Sequence, residues 1–337
     1  MDSKPNIIQT NINIMLSYPI QYALLLAASG LTAAGRVPAV LQDGHPTAHP
    51  KDPRTSFGED VPHNVMGEFV ELTTYSISDG GFYSGVCGAT VLSSQWLLTA
   101  AHCVVESDRR PIQALSLTVH GDRDGQQDIF YALDEVELFV PASYYPSIRS
   151  EARSDKYYGD IAMIYLPKEV SFNITYPRLP LGRNEVEEAP TLVAVGVGLT
   201  ESGLREGELE FVSLAKEGRV GEASAEIKAT AWLEEDHFVA RDAEKAGQNT
   251  CGGDSGGPIF IPSTRWSEST ADENLDRHAR DLSNERNVLV GITSWGPVDC
   301  GDTADSWGAY TDVYYWASWI TRTMKREISP VATVAYI

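Results

Sequence analysis

Short apolar segments separated by turn residues dominate the chain from about residue 65 onwards. The segments are rich in β-branched and aromatic residues and too short for typical helices, so they predict β-strands. Many short strands at regular spacing are typical of a β-barrel or a β-sandwich. The predicted strands are Phe69–Thr74, Ala89–Leu92, Trp96–Ala100, Leu115–His120, Glu135–Phe139, Ile161–Leu166, Thr191–Val197, Pro258–Ile261, Val288–Ser294 and Ala309–Val313.

The pattern changes near the C-terminal end of the chain. Trp316, Trp319, Ile320 and Met324 recur at the spacing that places side chains on one face of a helix. An aromatic stripe of this kind is more often a packing surface than a ligand site. We therefore expect a C-terminal α-helix that packs on the preceding β-structure.

The first 54 residues do not continue the strand pattern. Residues 1–34 contain a short apolar run, Tyr22–Leu31, followed by small residues, which predicts a secretory signal peptide. The run is too short for a transmembrane helix, and a disordered N-terminal extension is the alternative. Residues 35–54 are rich in proline, histidine, aspartate and glycine and are interpreted as a linker or propeptide. Residues 55–337 are expected to form the folded domain.

Charge limits the classes of partner. The 337 residues include 47 Asp plus Glu against 26 Lys plus Arg, a formal net charge of −21. Such a balance argues against nucleic-acid binding, which favours a basic surface.

Asn173-Ile174-Thr175 is an N-glycosylation sequon. No sequence pattern indicates a metal site or a cofactor.

The octapeptide Cys251–Pro258 is the strongest chemical signal. It combines the nucleophile Ser255 with an acid and four glycines, a composition suited to a loop whose backbone N–H groups approach a reacting carbonyl. Its centre also fits the G-x-S-x-G pattern of α/β-hydrolases. Those enzymes run serine, acid, histidine, whereas here His102 precedes Asp160 and Asp160 precedes Ser255, so an esterase of that class is disfavoured.

Two upstream segments, Leu97–Cys103 and Tyr158–Leu166, accompany the octapeptide. Together the three resemble the histidine, aspartate and serine motifs of the chymotrypsin/trypsin family of serine endopeptidases, over roughly residues 55–325. The resemblance implies an all-β fold of two packed six-stranded antiparallel β-barrels. It further implies that the C-terminal α-helix docks on the second barrel and that the catalytic residues lie in the cleft between the barrels.

The resemblance assigns catalytic roles residue by residue. Ser255 would be the nucleophile, His102 its general base, and Asp160 the carboxylate that orients the histidine. The backbone N–H groups of Gly253 and Ser255 would form the oxyanion hole. Asp155 is a rival for the acid, but Asp160 stands immediately before an apolar strand, as a buried triad carboxylate should.

Substrate-binding positions follow from the same resemblance. Asn249 would lie at the floor of the primary pocket, while Ser294, Trp295, Gly296 and Gly308 would border the pocket and the substrate chain. A neutral floor predicts a large uncharged or aromatic residue before the scissile bond. Acidic residues in the loop that adjoins the pocket leave a basic preference open.

Activation would depend on Asp254. In the family this acid pairs with an α-amino group created by cleavage of a propeptide, and the candidate cleavage here follows Arg54 and exposes Thr55. Thr55 departs from the apolar residues usual at that position.

The four cysteines allow three pairings. The resemblance implies Cys87–Cys103 and Cys251–Cys300, which favours an oxidising extracellular compartment. The sequence thus predicts a secreted serine endopeptidase made as a zymogen. Its partners would be protein or peptide substrates, an activating protease and protein inhibitors, with no membrane partner. The alternative is a catalytically inactive homologue that acts as a binding module.

Overall fold

The structure is a computed structural model, and it describes residues 59–60, 68–78, 81–106, 110–119, 127–144, 158–170, 176–189, 192–196, 199–200, 203–204, 210–219, 235–242, 249–263, 286–296 and 307–331. All of these belong to one structural unit, Thr47–Ile337. The predicted signal peptide and propeptide, the pair Arg54 and Thr55, the sequon at Asn173, and Cys300 lie outside the described residues.

The described elements are mostly β-strands. The strands are β1 (Glu59–Asp60), β2 (Phe69–Ser78), β3 (Gly81–Val91), β4 (Trp96–Thr99), β5 (Ala114–Val119), β6 (Gln127–Ala132), β7 (Glu137–Phe139), β8 (Ala162–Tyr165), β9 (Leu192–Gly196), β10 (Leu199–Thr200), β11 (Gly203–Leu204), β12 (Glu210–Arg219), β13 (His237–Asp242), β14 (Pro258–Ile261), β15 (Val288–Trp295) and β16 (Trp307–Asp312). The helices are α1 (Ala101–Val104), α2 (Arg183–Glu187) and α3 (Val313–Met324), with a 3-10 turn at Leu133–Glu135.

Two antiparallel seven-stranded sheets organise these strands. The first has the order β6-β5-β2-β3-β4-β8-β7, and the second has the order β1-β12-β13-β16-β15-β14-β9. In the second sheet β12 also pairs with β9, which closes six of its strands into a barrel and leaves β1 attached outside. The all-β prediction is therefore confirmed. The first sheet differs in detail, since its edge strands β6 and β7 are not paired with each other in the part of the chain that the structure describes.

Strand bounds depart from prediction where apolar patterning is weak. The strand β3 begins eight residues before the predicted start at Ala89. The prediction missed this first half because it carries exposed residues such as Tyr83, Ser84 and Gly85 and so lacks an apolar pattern. The two-residue strands β1, β10 and β11 were not predicted, and neither were the longer strands β6, β12 and β13. The sequences of these longer strands mix charged and apolar residues, so pairing with neighbouring strands rather than local pattern defines them.

A continuous apolar core runs through the first sheet. Its largest fully buried side chains include Phe69, Leu72, Leu97 and Phe139. Burial of each such side chain contributes about 1.5–3 kcal/mol of hydrophobic stabilisation. Residues of the second sheet, among them Phe260, join the same core cluster, so the two sheets share apolar packing.

Buried hydrogen bonds also join the sheets. The Asn287 side chain donates to Glu68 Oε1 over 3.1 Å and accepts from Ser263 N over 2.8 Å. The backbone N–H of Gly88 donates to the Ser255 carbonyl over 2.7 Å. The Asn287–Glu68 and Gly88–Ser255 contacts connect residues far apart in the chain, so they fix how strands of one sheet face strands of the other.

The C-terminal helix α3 begins at a strong cap. The Asp312 carboxylate accepts from the backbone N–H groups of Tyr314 and Tyr315 at 2.9 and 3.2 Å, which satisfies two of the donors that a helix N-terminus leaves open. Trp316 and Ile320 are buried in the core cluster that the two sheets share. The helix contacts β15 of the second sheet, which agrees with the predicted docking on the second barrel.

None of the helices in the described ranges has the length and apolar character needed to cross a lipid bilayer.

Candidate active site

His102 is placed by the junction of β4 and α1. All four residues of β4 are buried, and Ala100 is still extended, with φ −79° and ψ 148°. The chain then turns into the single helical turn α1, which carries His102 at its second position. Its side chain is 25% exposed. A strand that is fixed on both faces therefore holds a histidine ring at the edge of solvent.

Asp160 is fully buried beside this histidine. Its Oδ1 accepts from the backbone N–H of His102 at 3.0 Å, and its Oδ2 lies 2.8 Å from His102 Nδ1. The Ser294 hydroxyl donates to the same Oδ2 over 2.5 Å, and the Thr311 hydroxyl donates to the Asp160 carbonyl over 2.8 Å. Asp160 is thus held by donors from α1 and from the second sheet, and its carboxylate contacts the histidine twice.

The electrostatics of the pair follow from this geometry. Burial alone would favour the neutral forms of both groups. For His102 the adjacent charge of Asp160 and the hydrogen bond to it outweigh burial, and the pKa of His102 is raised above 6.5. For Asp160, burial is likewise outweighed by the imidazole and by the Ser294 hydroxyl, so the pKa of Asp160 is lowered. The arrangement stabilises an imidazolium–carboxylate pair.

Ser255 lies on a turn that precedes β14. Its carbonyl accepts from Gly88 N, and Gly256 N donates to the Thr293 carbonyl over 2.7 Å. Cys103, next to His102 in the chain, has its sulfur 3.6 Å from the Ser255 carbonyl oxygen. These contacts bring the serine turn against the segment that carries the histidine.

Gly256 makes this close approach possible. Its φ is +79°, and a Cβ there would lie 2.5 Å from the Gly88 carbonyl oxygen and would also overlap the Thr99 hydroxyl. The turn therefore requires glycine both for its backbone conformation and for space. Gly253, on the other side of Ser255, has φ +96°.

The cysteines near the site are oxidised. The structure contains a Cys87–Cys103 disulfide, and Cys251 is also disulfide-bonded, its expected partner lying outside the described residues. The ligand atoms of Cys87, His102 and Cys103 lie within 4.8 Å of one another. Because the two sulfurs are bonded to each other, they are not the thiolates that a metal ion needs.

The comparisons with known proteins agree with this geometry. The family model for trypsin matches residues 73–320. The chain belongs to the trypsin family.

Its relatives include Limulus clotting factor C from Carcinoscorpius rotundicauda, 28% identical over 262 residues that make up 72% of this chain and 23% of that protein. Kallikrein-15 from Homo sapiens is 28% identical over 250 residues, which cover 72% of this chain and 82% of that protein. Serine protease snk from Drosophila melanogaster is 29% identical over 247 residues, 70% of this chain and 48% of that protein. This trypsin-family chain therefore spans about a quarter of clotting factor C and about half of snk.

Asp254, the expected activation residue of this trypsin-family domain, is buried with 5% exposure. Its Oδ2 accepts from Cys251 N at 2.8 Å, and its own N–H donates to the Cys251 carbonyl at 3.0 Å. A Cβ on Gly196 would collide with the Asp254 carboxylate. The serine loop therefore folds back on the Asp254 carboxylate, which packs against Gly196 of β9.

Asn249, the expected pocket floor, is 1% exposed. Its Oδ1 accepts from the Tyr310 hydroxyl at 3.2 Å and from Thr250 N at 2.9 Å. Burial raises the pKa of Tyr310, and the nearby Asp254 acts in the same direction although the Thr250 hydroxyl opposes it. The tyrosine therefore remains a neutral donor to the floor amide.

The remaining predicted pocket residues lie on adjacent strands. Ser294 and Trp295 end β15, Gly296 follows it, and Gly308 belongs to the partner strand β16. A Cβ on Gly308 would lie 2.7 Å from the Tyr310 ring. The structure therefore places all four on or beside the paired strands β15 and β16, which also carry Tyr310.

Sequence reasoning missed four polar residues at or behind the site. They are Thr311, Tyr310, Asp236 and His237, and all are buried. An available signal was the acid–histidine pair Asp236-His237 immediately before the apolar run that forms β13. Charged residues at the start of a buried strand need partners, and the pair is buried against Ser294.

Proposed function

We propose that this chain is a serine endopeptidase, secreted and made as a zymogen, that hydrolyses peptide bonds through Ser255, His102 and Asp160. The observation that carries the proposal is the pair of contacts from the Asp160 carboxylate to His102, with the backbone N–H at 3.0 Å and the ring Nδ1 at 2.8 Å. The second contact selects the tautomer with Nδ1–H. It leaves Nε2 as the basic nitrogen, as general-base catalysis by a histidine requires.

The chemistry then proceeds in two steps. His102 Nε2 takes the Ser255 hydroxyl proton while the Ser255 oxygen bonds to the substrate carbonyl carbon. The tetrahedral intermediate breaks the C–N bond, and His102 returns the proton to the leaving amine. Water repeats the sequence on the acyl-enzyme. The imidazolium that forms in each step is the species that the buried charge of Asp160 stabilises, consistent with the raised pKa of His102.

The oxyanion would bind to the backbone N–H groups of Gly253 and Ser255. The positive φ of Gly253 and the tight turn through Gly256 support this assignment, because such turns direct successive N–H groups to one side. Removal of one donor of this kind costs about a hundredfold to a thousandfold in rate.

A neutral primary pocket supports a preference for large uncharged residues. The carboxamide of Asn249 carries no charge, and its oxygen already accepts from Tyr310 and Thr250. We expect cleavage after aromatic or large aliphatic residues and expect Asn249→Asp to shift the preference toward Lys and Arg. Profiling both proteins on a peptide library measures this. A wild-type preference for Lys or Arg would contradict the assignment of the pocket floor.

The zymogen and secretion parts of the proposal have separate support. Asp254 is a buried acid in the serine loop, at the position where the family resemblance implies an ion pair with a new α-amino group. Cleavage after Arg54 would supply that group. The Cys87–Cys103 disulfide fits an oxidising compartment. N-terminal sequencing of the active form tests the zymogen part, since a start at Thr55 is expected.

The decisive experiment is active-site labelling. A fluorophosphonate probe should modify Ser255 of the wild type after treatment with an activating protease and should leave Ser255→Ala unlabelled. Peptide hydrolysis by the same samples should follow the labelling. A folded wild type that neither labels nor cleaves under any activating treatment would make the chain an inactive homologue with a binding role.

A further inference from the structure

A second buried histidine–carboxylate pair lies directly behind the proposed triad. Asp236 and His237 are 0% and 1% exposed, and His237 Nδ1 lies 2.8 Å from Asp236 Oδ1. On the other side of the ring, His237 Nε2 lies 3.3 Å from Ser294 Oγ, which donates to Asp160 Oδ2 over 2.5 Å. The side chains form a continuous hydrogen-bonded chain that ends on the carboxylate oxygen in contact with His102.

Fixed donors hold the Asp236 end of this chain. Asp236 Oδ2 accepts from the backbone N–H of Gly159 at 2.8 Å and from the Trp316 indole N–H at 3.0 Å. Both groups can only donate, so Oδ2 is an acceptor. The carboxylate then meets His237 through Oδ1, which accepts from Nδ1–H.

The serine end determines the role of the other ring nitrogen. A hydroxyl has a single proton to donate, and Ser294 gives its proton to Asp160. The oxygen of Ser294 therefore presents lone pairs to His237 Nε2. An unprotonated Nε2 would place two lone pairs against each other, whereas Nε2–H satisfies both groups. His237 accordingly donates from both ring nitrogens, to Asp236 and to Ser294.

We infer that His237, anchored by Asp236, is a positioning residue of the active site. Its Nε2–H donates to Ser294 Oγ and thereby holds the Ser294 hydroxyl on Asp160. A hydroxyl that accepts one hydrogen bond becomes a stronger donor in the next, so the donation strengthens the contact that orients Asp160 toward His102. The inference rests on the proposed peptidase function of the same site and adds a residue to it.

Three variants separate donation from packing. His237→Phe keeps a ring but removes both N–H groups, and His237→Gln keeps an amide N–H that can reach Ser294. Asp236→Asn is the matched control, because its amide can donate to Nδ1 and so leave the proton on Nε2, where it still reaches Ser294. We expect His237→Phe to lower kcat about tenfold with KM within about twofold, and His237→Gln and Asp236→Asn to lose no more than about threefold.

A nuclear magnetic resonance measurement tests, independently of activity, whether His237 Nε2–H donates to Ser294. In ¹⁵N-histidine-labelled wild type, the Nε2 of His237, assigned by its loss in His237→Gln, should carry a directly bonded proton. An unprotonated Nε2 overturns the inference, as does a folded His237→Phe variant with wild-type kcat. If His237→Phe does not fold, the wild-type spectrum still decides. If the wild type fails to label with fluorophosphonate, the peptidase proposal fails while the spectrum still reports on His237.

Discussion

Gly256→Ala should destabilise the domain by an amount that the geometry allows us to work out. Residue 256 has φ +79°, and the added Cβ would lie 2.5 Å from the Gly88 carbonyl oxygen and 3.0 Å from Ala100 N, and would overlap the Thr99 hydroxyl. The left-handed backbone costs about 1–2 kcal/mol for a non-glycine residue. Forcing a methyl group into a packed site adds about 1–3 kcal/mol. The expected loss is therefore about 2–5 kcal/mol, a large part of an ordinary domain stability.

Thermal unfolding measures this loss. At about 2–4 °C per kcal/mol for a domain of this size, the midpoint should fall by about 4–20 °C. Gly182→Ala is the matched control, because residue 182 is extended, with φ −163°, and no atom lies within 4 Å of the new Cβ. The control should change the midpoint by no more than about 2 °C. Equal midpoints for the two variants would refute the argument that the serine turn leaves no room for a side chain.

Two further predictions concern charge and capping. Because the pKa of His102 is raised and catalysis needs its neutral form, kcat/KM should fall as pH drops through a value above 6.5. Asp160→Asn should move that inflection to lower pH, because the negative charge that favours imidazolium is gone, and should lower kcat about 10⁴-fold; an unmoved inflection would argue against the pair. Asp312→Ala removes the cap of α3 and should cost about 1–2 kcal/mol in urea unfolding. Asp312→Asn should recover most of that loss, and if both variants match the wild type, the cap does not stabilise the helix.

The parts of the site that a sequence can reveal are those encoded locally. His102 follows a short apolar strand, and Asp160 precedes another. The pairing of Thr99 with Ala162 in adjacent strands brings the two residues together. Chain order and the neighbouring residues thus pointed to the carboxylate that the structure places 2.8 Å from His102 Nδ1.

The residues behind the site depend on pairing between distant strands. His237 pairs with Thr311 across β13 and β16, and Thr311 pairs with Ile292 across β16 and β15. Only that succession of registers brings the β13 histidine to Ser294. The local pattern of apolar and polar residues does not determine the register between distant strands. No sequence pattern could therefore have predicted that the side chains of His237 and Ser294 meet.

The same limit explains the position of the C-terminal helix. The stripe of Trp316, Ile320 and their neighbours correctly predicted a helix with one buried face. Which side chains receive that face depends on tertiary structure, and the structure buries the face in the core that the two sheets share. The indole N–H of Trp316 also serves a polar purpose that an apolar stripe cannot indicate, since it donates to Asp236.

The route of the C-terminal segment has a consequence for biosynthesis. Val331 N donates to the Leu138 carbonyl on β7 over 2.7 Å, and the Arg326 guanidinium lies 4.1 Å from the centre of the Tyr165 ring. In a chain made from its N-terminus, β7 and β8 are synthesised long before the segment that contacts them. Contacts between residues so far apart in sequence close a long loop, which costs chain entropy. We therefore expect docking of residues 326–331 to be a late step in the folding of the first sheet, after its strands have paired.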